Sequence, residues 1–101
     1  MEQVSFAALP LHDAVVRDIE LSWANKRCCF HLSAFARGGV DATPHMLVFE
    51  GVRLLSMPHN EPWGPSSCVN AVSEAGGTFR IEMQSGDVIE LTAASFAFYA
   101  L

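Results

Sequence analysis

Between Thr78 and Ala93 the chain alternates apolar and polar residues in two runs. Phe79, Ile81 and Met83 share one parity in the first, and Ile89, Leu91 and Ala93 share one in the second. Successive side chains of a strand point to opposite faces, so each run carries one apolar face and both faces must reach the same core. Pairing Ile81 with Ile89 and Phe79 with Leu91 meets that demand only with an odd-numbered connection. A three-residue turn, Gln84-Ser85-Gly86, follows, with Gly86 as the left-handed residue of a bulge. The same register sets Arg80 opposite Glu90 and Thr78 opposite Thr92 on the solvent face.

A second hairpin is written in Ala14 to Trp23 and Arg27 to Phe35. Ile19, Leu21 and Trp23 alternate with Asp18, Glu20 and Ser22, and Cys28, Phe30, Leu32 and Ala34 alternate with Cys29, His31 and Ser33. A tight turn at Asn25-Lys26 pairs Trp23 with Cys28, Leu21 with Phe30 and Ile19 with Leu32, and places Glu20 opposite His31 and Asp18 opposite Ser33. Arg17 falls on the apolar phase beside Ala34 and must snorkel outward near the strand end.

Ala36 to Pro44 reads as a loop from its Gly-Gly and Pro, and His45 to Met57 as a long bent strand. Gly51 marks its bend, with Leu47 and Phe49 pointing inward before it and Val52 and Leu54 after it; such a strand crosses from one sheet to another. Pro58 to Pro65 holds three prolines and a glycine and excludes regular structure. Ser66 to Ala75 fits a strand leading into a hairpin turn at Ala75-Gly76-Gly77, or a short helix over 67–75 capped by a serine. The terminal SFAFYAL puts Phe96 and Phe98 on one face and Ala97 and Tyr99 on the other. The fold class expected is all-β: one domain over 1–101 with six or seven antiparallel strands in a curled sheet or two-layer sandwich, the alternative being α+β with the one short helix.

At 101 residues, half of them apolar and 17% charged, the chain is long enough to close a single core without metals or disulfides. No apolar run approaches a membrane span, and the acidic second residue followed by a broken apolar start does not read as a signal peptide, so the cytoplasm is the expected location. The net charge of -5 sets eleven acidic residues against six scattered basic ones, which argues against nucleic acid and membrane partners and favours a protein partner of basic character. Cys28, Cys29 and Cys68 lack metal or redox spacing and read as reduced thiols, Cys28 in the core and Cys29 facing outward.

Candidate chemistry is sparse. His12-Asp13 resembles the metal-binding dipeptide of the HD phosphohydrolases, but the helices and further spaced ligands of that family are missing, so Asp13 reads as a turn residue opening the first long strand. Cys29 and His31 form half of a zinc site at most and are otherwise a surface thiol and a surface imidazole, so no metal and no cofactor is expected. The segment most suited to recognition is the proline-rich loop, where His59, Glu61, Trp63 and Ser66 cluster and which His12 would have to approach. In the bland reading Trp63 plugs the open end of the sandwich and His59 and Glu61 are solvated; none of the serines lies in a nucleophile elbow, so no catalytic residue is named.

The order of LPLHDA (Leu9 to Ala14), VFEGV (Val48 to Val52), PWGPSS (Pro62 to Ser67) and MQSGDVIEL (Met83 to Leu91) resembles a small, poorly characterised group of bacterial all-β proteins. Some similar domains are immunity proteins that neutralise toxins. The resemblance implies a bacterial interaction domain, one form of which is an immunity-like inhibitor, and carries over no functional residue. A noncatalytic protein-interaction domain is therefore the expectation, with Asp18, Glu20, Glu61 or Glu82 facing the partner; the alternative is a small-molecule or metal-binding domain, a hydrolase among its forms, with His12, His59, Glu61 and Ser66 converging at one end. The uncharged edge of the last segment also invites a homodimer.

Overall fold

The computed structural model describes residues 5–35 and 41–101. Apart from one 3-10 turn at Phe6–Ala8 the described chain forms strands: β1 (Val15–Ser22), β2 (Arg27–Phe35), β3 (Ala42–Glu50), β4 (Leu54–Ser56), β5 (Val69–Ala75), β6 (Thr78–Met83), β7 (Val88–Thr92) and β8 (Ser95–Ala100). They make two antiparallel sheets of four, ordered β1-β2-β3-β8 and β4-β7-β6-β5, whose apolar faces enclose one core.

The β6–β7 hairpin has the register that alternation dictates: Ile81 pairs with Ile89, Phe79 with Leu91, Arg80 with Glu90 and Thr78 with Thr92. The Met83 N–H donates to the Asp87 carbonyl across the three-residue turn, and Gly86 takes φ of 93°. Val69–Ala75 is a strand and not a helix, turned into β6 at Gly76 and Gly77, both left-handed. Cys28 is buried and Cys29 half-buried on the outer face.

The β1–β2 hairpin is the main correction. Leu21 faces Cys28 and Ile19 faces Phe30, so the pairing is slipped by two residues from the tight-turn register, and Trp23 to Lys26 form a four-residue loop in which Lys26, with φ of 52°, takes the left-handed position. A two-residue slip keeps every side chain on its own face, so the hydrophobic pattern does not oppose it. Trp23 consequently leaves the core and is 90% exposed. The register shifts again between Val16 and Asp18, and this bulge resolves the misfit of Arg17, which turns outward and donates from Nε to Ser33 Oγ at 3.1 Å.

Eight strands stand where six or seven were expected because Gly51 divides the His45–Met57 segment into β3 in one sheet and β4 in the other. Gly51 has φ of 65°, and a Cβ there would lie 2.8 Å from Ala94 Cβ, at the second point where the chain changes sheets. Val52 packs on the core as expected, but the three-residue crossing resets the phase after it: Leu55, opposite Leu91, packs on the core and Leu54 is exposed, the reverse of the parity expected for Leu54. β3 also begins earlier than expected, at Ala42, while 36–40 of the anticipated loop lie outside the described residues.

Phe6 is the hub of the core. Its fully buried ring lies 5.0 Å from Phe79, 5.3 Å from Phe96 and 5.8 Å from Phe49, tying both sheets together, and its turn runs along β5. Thus the N-terminal segment, with Leu11 also buried, fills the gap between the sheets beside β8 and β5.

Candidate functional site

The proline-rich segment is held by the β6–β7 turn. Asp87 is buried and receives the N–H groups of Asn60 at 2.8 Å and Glu61 at 3.0 Å, together with the Ser85 hydroxyl at 2.7 Å. Burial alone would raise its carboxyl, but the Asn60 N–H, the Ser85 hydroxyl, the Glu61 N–H and nearby His59 together outweigh that and hold it below the usual carboxylate range. The Trp63 N–H donates to the Ser85 carbonyl at 2.9 Å, and the indole lies over Gly86, where a Cβ would come within 2.8 Å of it. Trp63 therefore does not plug the sandwich. It is 76% exposed, lying on the outside of the turn.

Three of the anticipated site residues come together. Glu61 Oε2 accepts the Ser66 N–H at 3.2 Å and lies 3.7 Å from His59 Nε2. Ser66 Oγ accepts the Cys68 N–H at 3.1 Å, so both polar side chains are engaged in shaping the loop. His59 and Ser66 line a shallow groove of about 350 Å³ with Arg17, Asp18 and Met57, floored by Met83 and Ile89. His12 is not part of its lining: its Nδ1 donates to the Asn70 carbonyl at 2.7 Å, and its Nε2 lies 3.5 Å from the neighbouring Asp13 carboxylate. Asp13, with φ of 67°, is the turn residue before β1, and its carboxylate receives Gln84 Nε2.

On the outer face of the first sheet, His31 bonds Glu20 and stands two residues from Cys29. Burial raises the Cys29 thiol, and burial followed by the neighbouring Cys29 pushes Cys28 up to about 11, so both remain protonated near neutrality. Among the described residues no three His, Cys, Asp or Glu side chains are placed to hold a metal ion.

A second, larger groove of about 500 Å³ opens where β1, an edge of the first sheet, faces β4, an edge of the second. Leu21, Trp23 and Leu54 line it and are exposed, and Met57 continues the apolar rim into the smaller groove. Its remaining wall carries Lys26 and Arg53, neither of which forms an ion pair among the described residues, whereas Arg27 and Arg80 bond Glu50 and Glu90. Reading the sequence missed this surface because Leu21, Trp23 and Leu54 carry core parity. It missed Asp87 because a carboxylate after Gly86 looks like an ordinary turn residue; the Ser-Gly-Asp spacing, which suits side-chain to backbone bonds, was the available signal. No helix of the described residues is long and apolar enough to cross a membrane. No protein-family model, curated protein or solved structure matches the chain.

Proposed function

We propose that this chain is a noncatalytic protein-interaction domain. The observation that carries the reading is the alignment of Leu21, Trp23, Leu54 and Met57, four exposed large apolar side chains, along the side of the sandwich between β1 and β4. A contiguous apolar strip with a polar rim is what a binding surface needs and what a surface without a partner avoids. An immunity-like inhibitor of bacterial type, working in the cytoplasm, is one form of this function, and three free thiols suit a reducing compartment. A basic partner would meet Asp18 and Glu20 on the outer face of the first sheet; Glu82 lies on the outer face of the other sheet and Glu61 is engaged in its loop, so these four carboxylates do not form one patch. The test is affinity capture from a bacterial lysate with the native chain and with a Trp23→Ser/Leu54→Asp variant. A partner held by the first and lost by the second supports the reading, and retention of the same partners by both overturns it.

The smaller groove favours a second reading, a small-molecule site with His59 and Ser66 beside Arg17 and Asp18. Turnover or ligand binding lost on His59→Ala would put this reading first. Self-association through β8 belongs to the leading reading as well, since β8 is an edge strand that bears no charge and leaves Tyr99 exposed.

A further inference from the structure

We infer that the groove between β1 and β4 takes an extended peptide segment of a partner protein, which pairs with the free edge of β1, buries apolar side chains between the two sheets and directs a carboxylate to Lys26 and Arg53. The inference rests on the interaction-domain reading and names its ligand.

Three observations converge on it. The sandwich is filled unequally at its two sides: beside β5 and β8 the chain's own N-terminal segment inserts Phe6 between the sheets, while beside β1 and β4 no described segment does so and the apolar walls stand open. A peptide would supply on the second side what Phe6 supplies on the first. Next, the outer edge of β1 is occupied only at its start, where the Val16 N–H donates to Ser67 and Val15 bridges Cys68; from Asp18 to Ser22 it has no backbone partner besides β2 among the described residues. Those alternate N–H and C=O groups are a template for strand addition, in which main-chain bonds supply affinity and pockets for alternate side chains supply selectivity. β4, only three residues long, offers far less edge. Finally, charge selects the ligand. The protein is acidic overall, yet the groove wall carries Lys26 and Arg53 without acidic partners among the described residues, so an acidic residue on the peptide finds complementary charge there and a basic one does not.

The test uses fluorescein-labelled peptides of about nine residues, long enough to span the free edge of β1. They alternate leucine and valine with serine and carry two glutamates at one end or the other. Fluorescence anisotropy with the full chain is expected to show saturable binding of one polarity. Replacing the glutamates by lysine, N-methylating alternate amides of the same peptide, or mutating the protein by Trp23→Ser or Lys26→Glu should each weaken it about tenfold or more. Trp23 is an exposed loop residue, so its variant keeps the native circular dichroism. Equal binding of the N-methylated peptide would overturn strand pairing, and equal binding of the lysine peptide would overturn the charge assignment. Absence of binding by every peptide, with a lysate partner still lost on Trp23→Ser/Leu54→Asp, would sink the peptide inference and leave the interaction domain standing. Loss of neither would remove both.

Discussion

At Gly86 two constraints coincide: a φ of 93° that side chains rarely adopt, and the indole of Trp63 lying where a Cβ would go. Gly86→Ala should therefore cost about 1–3 kcal/mol, read as a lower urea midpoint, and should exceed the cost of Gly64→Ala, where φ is 109° but nothing lies within 4 Å. Asp87 gives the same turn a pH dependence. Because its folded pKa is depressed, the carboxylate stabilises the fold above its unfolded pKa of about 3.9, and that contribution is lost as pH falls through the folded value. Asp87→Asn should thus lower stability at neutral pH and flatten the decline below about pH 4 in acid titrations followed by tryptophan fluorescence. Equal acid limbs in the two proteins would show that Asp87 does not anchor the loop.

Among the elements, the 3-10 turn at Phe6–Ala8 has the greatest leverage for its length. Phe6→Ala leaves a cavity lined by Phe49, Phe79 and Phe96 and should cost about 3–5 kcal/mol in chemical denaturation. Its place could not be read beforehand, since SFAAL shows neither a strand nor a helix period and its burial depends on a gap that two distant sheets create. β1 and β2 teach the converse. Alternation identified both strands and their inner faces, but the register turned on the loop, and a shift of two residues is invisible to parity. At β8, Phe96 and Phe98 pack on the core as their parity requires, and the strand is an edge. A homodimer extending the first sheet through β8 should give a twofold mass in light scattering at micromolar concentration, reduced to the monomer by Ala100→Pro, which removes a donor from the outer edge, since the neighbouring Leu101 N–H is the one that bonds inward to the Pro44 carbonyl. A monomeric mass for the native chain would show that β8 serves its own core alone.

For the whole molecule, the two crossings between sheets meet at Gly51 and Ala94, where the Ala94 N–H donates to the Glu50 carbonyl at 2.9 Å. β3 and β8, distant in sequence, must pair before the first sheet is complete. Loops of that length are closed before their contacts stabilise the chain, so refolding is expected on the order of milliseconds to seconds in stopped-flow fluorescence, and microsecond folding would contradict this topology. The candidate site is a product of the same arrangement. The larger groove exists only because β1 and β4 are edges that face one another, and no local pattern in either strand announces that.

What the residues determined unaided was the all-β class, the inner and outer faces of most strands, the full β6–β7 register and the crossing at Gly51, because alternation and turn chemistry act between near neighbours. The tertiary structure alone decided that Trp23 and Leu54 turn outward, that Phe6 fills one side of the sandwich, that Asp87 ties down the proline-rich loop and that His59 and Ser66 share a groove without His12. Each of these depends on how strands far apart in the chain are ordered within and between sheets, and a period of two in the sequence carries no information about that order.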